Sequence, residues 1–306
     1  MKPKKVLLDT DIGSDVDDLL ALILAVKSPE LDIEGVTTVG LDADRRARLA
    51  QRILRTLNRE DIPVMVGLSR PIVRDPQKVW GPYDGHGIDI SNELLKQPLS
   101  PLKAIDFLVS KVLEFREEIT LITLGPLTNI AIALLVEPCL TKVIRECFIM
   151  GGVIQKTLGR SALREYNVSS DPEAANIVFS SRMPMTIVGL DVTLQVPLNR
   201  ERLMKIGMAR SPGAKLAFQA AMNYQERVVM HPWNYLHDPL TVGVAIERSF
   251  VKTRKMHIRI ETKGSLTDGW VVSDNGSPED SEAPEVAIEV NSEGFLDFFV
   301  ERVSSP

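Results

Sequence analysis

The stretch VLLDTDIGSDVDD at residues 6–18 carries the strongest pattern in the sequence. Its apolar residues Val6–Leu8 predict a short buried strand, and aspartates follow that strand at once. The apolar run LLALILAV at residues 19–26 then predicts a buried helix that begins near Asp18. A buried strand that ends in an acidic turn before a helix indicates the ligand-binding edge of a parallel sheet, because ligands bind outside the carboxyl ends of such strands.

Short apolar runs and longer amphipathic stretches alternate along most of the chain. From about residue 198 to residue 229 the pattern becomes helical. The alternation predicts an α/β fold with an open, mostly parallel sheet that is flanked by helices. Further strands are predicted at residues 33–39, 64–66, 119–124, 143–150 and 185–190, and further helices at 43–57, 102–113, 129–135 and 172–179.

The C-terminal part departs from this alternation. Residues 258–274, IRIETKGSLTDGWVVSD, predict a small hairpin with turns at Gly264 and Gly269. The stretch SPEDSEAPE at residues 277–285 is predicted to be a solvated loop. Since no linker or internal repeat interrupts the chain, we predict a single domain over residues 1–306.

The composition bounds the class of protein. The chain has 306 residues, of which 44% are hydrophobic and 25% are charged, as expected for a globular protein that buries a large core. A formal net charge of −5 argues against a duplex-binding protein. The longest apolar run, at residues 19–26, is far shorter than the ~20 residues of a membrane span. The start MKPKKVLLDTD lacks the apolar region of a secretory signal.

Cysteine usage supports the same interpretation. Cys139 and Cys147 both lie in apolar stretches, without a CxxC motif or a neighbouring histidine pair. We predict that both are small core residues in a reducing compartment. The chain is therefore predicted to be a cytoplasmic protein with no nucleic-acid partner and no membrane partner.

The aspartates after the first strand favour a metal site. Five of them fall within ten residues, and such close like charges need a counter-cation or raised pKa values. Their hard oxygen atoms, with no cysteine or histidine nearby, favour Ca²⁺ or Mg²⁺ over zinc. A solvated acidic face is the alternative, but the run lies between a strand and a helix that are both predicted to be buried. The five are Asp9, Asp11, Asp15, Asp17 and Asp18.

Three kinds of metal site compete for this loop. A calcium-binding EF-hand that starts at Asp9 would need glycine at its sixth position and glutamate at its twelfth, where Ser14 and Leu20 stand. A phosphatase of the haloacid dehalogenase type would carry threonine two residues after the second aspartate, where Gly13 stands. The third kind depends on motifs elsewhere in the chain.

These later motifs resemble the inosine–uridine-type nucleoside hydrolases over nearly the whole length of the chain. Their order and spacing together are specific, although each motif alone is weak. The resemblance implies a Rossmann-like single-domain fold with a parallel sheet. The resembling segments are DTDIGSDVDD at 9–18, TTVG at 37–40, GPLTNIA at 125–131, IMGG at 149–152, EYNVSSDPEAAN at 165–176, VGLDVT at 188–193 and HDPL at 237–240.

The resemblance also implies an activity and a cofactor. The activity is Ca²⁺-dependent hydrolysis of the N-glycosidic bond of purine or pyrimidine ribonucleosides, through a transition state like an oxocarbenium ion. One Ca²⁺ per subunit is implied, with ligands at Asp11, Asp18, Asp238 and the main-chain carbonyl of Leu124, and with Asp15 as an alternative. Asp11 matches the general base that takes a proton from a water held by the ion. Family members are commonly homodimers or homotetramers.

Four residues are expected at the ribose. Asp17, Glu165 and Asn167 match positions that hydrogen-bond the sugar. Asp42 stands where the family usually carries an asparagine that contacts ribose, which makes it a departure as well as a candidate. Two extra residues before the final acid pair make the roles of Asp15 and Asp17 ambiguous, and we prefer Asp17 as the sugar ligand because Asp18 and the helix follow it.

The leaving base is expected near two histidines and two aromatic residues. His237 and His86 match regions where the family carries pocket histidines, and a histidine that titrates near neutrality can protonate the base. Trp233 and Tyr235 could stack on the base, with packing of the loop as the alternative.

Two alternatives to a nucleosidase stay open at this point. One is a degenerate family member that binds a ribosyl ligand or acts on another ribosyl compound, and the other is a phosphatase-like metal enzyme. Among the remaining polar residues, Asp9 is predicted to hold the loop in shape, and Asn129 and Asp171 are predicted to be helix N-caps.

Overall fold

The structure is a computed structural model that describes residues 2–81, 100, 103–154, 164–226, 233–274 and 282–306. Its strands are β1 (Lys4–Thr10), β2 (Leu31–Thr38), β3 (Val64–Val66), β4 (Ile119–Thr123), β5 (Glu146–Met150), β6 (Met185–Val188), β7 (Pro197–Asn199), β8 (Trp233–Tyr235), β9 (Val251–Lys255), β10 (His257–Ile260), β11 (Val271–Asp274) and β12 (Glu285–Val290).

The described helices alternate with these strands through most of the chain. They are α1 (Asp17–Val26), α2 (Ala43–Thr56), α3 (Pro76–Val79), α4 (Ala104–Phe115), α5 (Thr128–Val136), α6 (Leu140–Val143), α7 (Tyr166–Ser170), α8 (Pro172–Phe179), α9 (Leu190–Thr193), α10 (Arg200–Met208), α11 (Pro212–Tyr224), α12 (His237–Ile246) and α13 (Ser292–Ser304). None of the described helices is long and apolar enough to cross a membrane.

The main sheet has eight strands in the order β3-β2-β1-β4-β5-β6-β12-β9. Every neighbouring pair is parallel except β12 and β9, which pair antiparallel at one edge. The chain order runs outward in opposite directions from β1 and β4. These two central strands therefore form the topological switch point, which is where ligands bind in open α/β sheets.

The central strand β1 is buried on both faces, as expected for a parallel sheet covered by helices. Val6 and Leu8 join the hydrophobic core on the side of α1, whereas Leu7 joins the core on the opposite side, with Phe107 of α4. Successive side chains of a strand point to opposite faces, so this run needs no polar alternation. The predicted α/β architecture is confirmed.

Helix α1 is apolar on nearly all sides, and its residues from Asp17 to Ala25 are buried. A helix of this kind must be covered by protein on every side. It packs against α12, which begins at His237. This packing brings the acidic start of α1 next to the acidic start of α12.

The C-terminal region contains more sheet than the sequence indicated. The hairpin is confirmed, because β10 and β11 pair antiparallel. The predicted loop at residues 277–285 is wrong at its end, since Glu285 begins β12, and β12 and β9 extend the main sheet. The core prediction for Cys139 is also wrong, because that residue is exposed after α5, whereas Cys147 is buried within β5.

Candidate active site

A cavity of about 520 Å³ opens at the carboxyl ends of β1 and β4. Asp11 follows β1, and Leu124 follows β4, so the switch point delivers both residues to its floor. Helices α1 and α12 add their first residues to the same wall. The described lining includes Asp11, Ser14, Asp15, Asp17, Asp18, Gly81, Leu124, Met150, Arg164, Glu165, Tyr166, Asn167, Leu190, His237 and Asp238.

Three buried carboxylates lie together at one end of the cavity. One oxygen from each of Asp17, Asp18 and Asp238 lies within 4.8 Å of the others. Asp17 also accepts a hydrogen bond from the Asp238 amide at 3.2 Å, so it joins the starts of α1 and α12. Asp11 lines the same cavity but does not belong to this group of three.

The carboxylates raise one another's pKa values. The pKa of Asp11 is raised to about 7, chiefly by burial, while Arg46 lowers it and the neighbouring Asp15 raises it. Burial and neighbouring carboxylates raise the pKa values of Asp17, Asp18 and Asp238 well above the usual range. These buried carboxylates offer only oxygen donors, so a hard divalent cation would stabilise their charged forms.

Arg46 is a fully buried arginine beside this cluster. Its guanidinium donates to the carbonyl of Asp11, to that of Ile12 at 3.2 Å and to that of Leu41 at 2.7 Å. It also donates to the hydroxyl of Ser14 at 2.9 Å and the carbonyl of Gly81 at 3.3 Å. Its hydrogen bonds fix the loop backbone, and no ion pair within 4.0 Å links it to a described carboxylate, although its charge lowers the pKa values of Asp11 and Asp18. The carboxylates that remain close together form a group that could hold a cation.

The first loop is held closely against the end of β4. A Cβ atom at Gly125 would lie 2.8 Å from both the amide nitrogen and the Oδ1 atom of Asp11. The Thr10 hydroxyl donates to Oδ1 of Asp18, which fixes that carboxylate toward the loop. Glycine at position 125 is therefore needed for the carboxylate of Asp11 to keep this position.

Asp9 and Asn129 form a buried brace behind the loop. Asp9 accepts hydrogen bonds from the Thr37 hydroxyl and from the Asn129 amide, the latter at 2.7 Å. Asn129 also donates to the carbonyl of Thr38 at 3.0 Å and accepts from the amide of Leu68 at 2.9 Å. The prediction that Asn129 caps a helix is wrong, because its side chain ties three strand ends together. Asp9 holds this region in shape, as predicted.

Asn167 and Glu165 line the same cavity. The Asn167 amide donates to the carbonyls of Leu124 at 2.7 Å and Met150 at 3.2 Å. Glu165 accepts from the amides of Gly152, Asn167 and Val168 at 2.6–2.9 Å, and so caps α7. Both side chains are fixed by the backbone before any ligand arrives. Asp171 accepts from the amide of Ala174 and caps α8, as predicted.

His237 lies at the start of α12, with Nδ1 2.7 Å from the Thr193 hydroxyl. Its ring is 5.7 Å from that of Tyr235. Burial lowers the pKa of the imidazole to about 4, against the raising effect of Asp15. Burial of the ring therefore favours the neutral imidazole. The expectation that His237 titrates near neutrality assumes a cation that neutralises the carboxylates, and it stays a prediction.

The remaining predicted site residues are not all brought together. Asp15 lines the cavity but is exposed, and it accepts a hydrogen bond from the Tyr224 hydroxyl. Asp42 is exposed at the start of α2, with a left-handed backbone, and it is not among the described residues that line the cavity. His86 and the Trp233 side chain lie outside the described residues.

Sequence reasoning missed three residues of the site. Arg46 occupies the buried face of α2, where the periodicity of residues such as Leu49 and Ile53 predicts an apolar side chain. An arginine on an otherwise apolar helix face could have indicated a buried charge with a role in the site. Tyr166 and Arg164 line the cavity beside Glu165, and Tyr166 accepts a hydrogen bond from the Gly81 amide at 2.6 Å. No sequence pattern distinguished these two.

We predict that cation-free protein loses stability as the pH rises. A carboxyl whose pKa is raised by folding stabilises the folded state fully below its unfolded pKa of ~4, and this stability is lost as the pH rises through the folded value. For Asp9 and Asp11 that value is about 7. The Tm gap between Ca²⁺-loaded and chelated protein should therefore widen from pH 4.5 to 7.5. A constant gap across this range would contradict the prediction.

Comparisons with known proteins agree along the whole chain. A sequence profile described as inosine-uridine preferring nucleoside hydrolase matches residues 6–297. The pyrimidine-specific ribonucleoside hydrolase RihA of Photobacterium profundum is 33% identical over 312 residues, which cover 99% of each protein.

Two solved structures have the same fold. The plant nucleoside hydrolase PpNRh1 is 31% identical with a TM-score of 0.86, covering 99% of this chain and 100% of that one. A purine-preferring ribonucleoside hydrolase from Gardnerella vaginalis is 28% identical with a TM-score of 0.86, covering 98% of each.

Proposed function

The chain belongs to the inosine–uridine preferring nucleoside hydrolase family, and we propose that it hydrolyses ribonucleosides to ribose and free base with the help of Ca²⁺. The observation that carries the proposal is the group of three buried carboxylates on the wall of a cavity of about 520 Å³. That cavity has the volume expected of a small-molecule site. The relatives act on pyrimidine or purine ribonucleosides, by their names.

Asp17, Asp18 and Asp238 would hold the cation, together with the carbonyl of Leu124. Their donor atoms are all oxygens, which suits the about six to eight oxygen ligands that Ca²⁺ takes. Asp11 and Asp15 line the same cavity outside this group of three, and they would be at most peripheral ligands. When bound, the cation would lower the pKa of a water molecule and neutralise the carboxylates.

Asp11 is the proposed general base. Its carboxylate faces the cavity, and Arg46 and Gly125 together fix the backbone that carries it. A base must be held within hydrogen-bond reach of the proton that it accepts, so this fixed loop suits the role. The carboxylates around the cavity would also stabilise the positive charge that develops on the ribosyl ring.

Asn167 and Glu165, which line the same cavity, would hold the sugar. The two N–H groups of Asn167 are used by main-chain carbonyls, which leaves its side-chain oxygen for a ribose hydroxyl. His237 would contact the departing base. Since Nδ1 is engaged by Thr193, Nε2 is the ring nitrogen that could donate a hydrogen bond to the base. Tyr235 would pack beside it.

The direct test is a substrate panel. Purified protein with Ca²⁺ should release reducing sugar from at least one of uridine, cytidine, inosine, adenosine and guanosine, and 2′- or 3′-deoxy analogues should be poor substrates. Chelation should abolish the release, and added Ca²⁺ should restore it. Tight binding of ribonucleosides without any hydrolysis would instead support a binding protein derived from the family.

The organisation of the protein is part of the proposal. Because the family match extends over residues 6–297, we propose that the whole chain acts as one hydrolase domain. A homodimer or homotetramer and a cytoplasmic location remain predictions.

A further inference from the structure

A second, smaller chamber of about 50 Å³ adjoins the main cavity. The two share Asp15, Asp17 and His237 as walls. Its other described lining residues come from the end of α11, from β8 and from the first loop. A chamber of this size holds a few water molecules or the edge of a planar ring, but not a whole nucleoside.

Asn234 is the unusual residue of this chamber. It lies on β8, is 1% exposed and lines the chamber wall. Among the described residues, neither its Nδ2 nor its Oδ1 atom finds a hydrogen-bond partner, although both atoms are buried. A buried amide that lacks partners costs free energy, and native structures retain few of them without a reason.

The two atoms of the amide determine the hydrogen-bonding pattern that a ligand would need. Nδ2 offers a donor and Oδ1 an acceptor, side by side, so the complement is an acceptor next to a donor. The edge –NH–C(=O)– of uracil or hypoxanthine has this pattern. The edge –N=C(NH₂)– of cytosine or adenine has it in the reverse order.

This inference rests on the proposed function, because it concerns the base of the nucleoside. We propose that Asn234 reads this edge of the nucleobase while the base lies beside His237. His237 is one of the three residues that line both the main cavity and the chamber. Asn234 is thus a specificity-determining residue of the site.

A further consequence concerns keto and amino bases. Because no described protein group fixes either amide atom, the amide can turn over to match both orders of donor and acceptor. Uridine and cytidine, or inosine and adenosine, should therefore be accepted with similar efficiency. A base that is methylated on the ring nitrogen of this edge should be rejected.

The test compares Asn234→Leu with the parent protein on three substrates. These are the best nucleoside of the panel, its ring-N-methyl analogue (N3-methyluridine or N1-methylinosine) and p-nitrophenyl riboside, which lacks the edge. The variant should lose about 10- to 100-fold in kcat/KM on the nucleoside, the worth of such hydrogen bonds. It should change less than about threefold on p-nitrophenyl riboside, and its preference for the unmethylated base should disappear.

A measurement without substrate separates this role from a structural one. Leucine has nearly the shape of asparagine and removes an unpartnered buried amide, so the Tm of ligand-free Asn234→Leu should rise. A fall in Tm would show that the amide stabilises the fold, which overturns the inference. The control is Asn176→Leu on α8, which lies outside the lining of both the main cavity and the chamber and should keep the parent preference.

The outcomes separate the two proposals. Equal losses on the nucleoside and on p-nitrophenyl riboside would mean that the chamber holds only water, and the inference would fail while the nucleosidase function stood. No hydrolysis of any ribosyl compound by the parent protein would end the proposed function itself.

Discussion

Asp18→Asn is expected to lower kcat/KM for nucleosides by at least ~10³-fold. The substitution removes a charged ligand from the cation site, and a bound cation contributes several kcal/mol of transition-state stabilisation. Asp18 is buried, and its oxygen lies within 4.8 Å of those of Asp17 and Asp238. Asparagine keeps the shape and can still accept the hydrogen bond from Thr10. The measurements are reducing-sugar release and calorimetric titration with Ca²⁺.

The same variant should be more stable than the parent protein when chelator is present. One of several mutually repelling carboxylates has been removed, so the cost of burying the others decreases. A higher Tm in chelator also shows that the lost activity does not come from unfolding. Asp44→Asn, an exposed acid in the first turn of α2, is the control and should bind Ca²⁺ and turn over normally. Normal Ca²⁺ affinity of Asp18→Asn would refute the assigned ligand set.

Asp11→Asn is expected to lower kcat by ~10²–10⁴-fold, the usual worth of a general base. Unlike the Asp18 variant, it should still bind Ca²⁺ within about tenfold of the parent affinity, because Asp11 lies outside the group of three closely spaced oxygens. The loss should be similar for a nucleoside and for p-nitrophenyl riboside, since the base acts on the water and not on the leaving group.

Asp9→Asn supplies the matched control for this second prediction. Asp9 is equally buried, lies two residues away and has its pKa raised to about 7, chiefly by burial. Its carboxylate contacts Thr37 and Asn129 instead of the cavity, so the variant should lose less than about tenfold in kcat. If Asp11→Asn turned over within tenfold of the parent with Ca²⁺ bound, Asp11 would not be the base.

Part of the site followed from the sequence because it is local. The apolar run at residues 6–8, the acidic loop and the apolar helix that follows lie next to one another in the chain, and burial on both faces leaves a continuous apolar pattern. The preference for a hard cation follows from the residue types alone, because aspartates offer only oxygen ligands. The resemblance added Asp238 and Asn167, which no local pattern could have joined to this loop.

The edge of the sheet was harder to predict. Strands β9 and β12 lie far from the central strands in sequence, and β12 begins directly after a stretch of sequence rich in acidic residues. Their residues are half exposed and carry many charges, so apolar periodicity was weak there. Strand formation at this edge depends on pairing with β6 rather than on local preference.

The sequence by itself determined the α/β fold, the acidic loop after β1 and the oxygen chemistry of the site, because these depend on burial patterns and residue types within short segments. Only the tertiary structure decided which carboxylates meet, that Arg46 holds the loop and that Asn129 joins three strand ends. It also decided that the Asn234 amide has no partner within the part of the chain that the structure describes. These roles depend on hydrogen bonds between side chains and groups that are distant in the chain, and no periodic pattern in a sequence predicts such bonds.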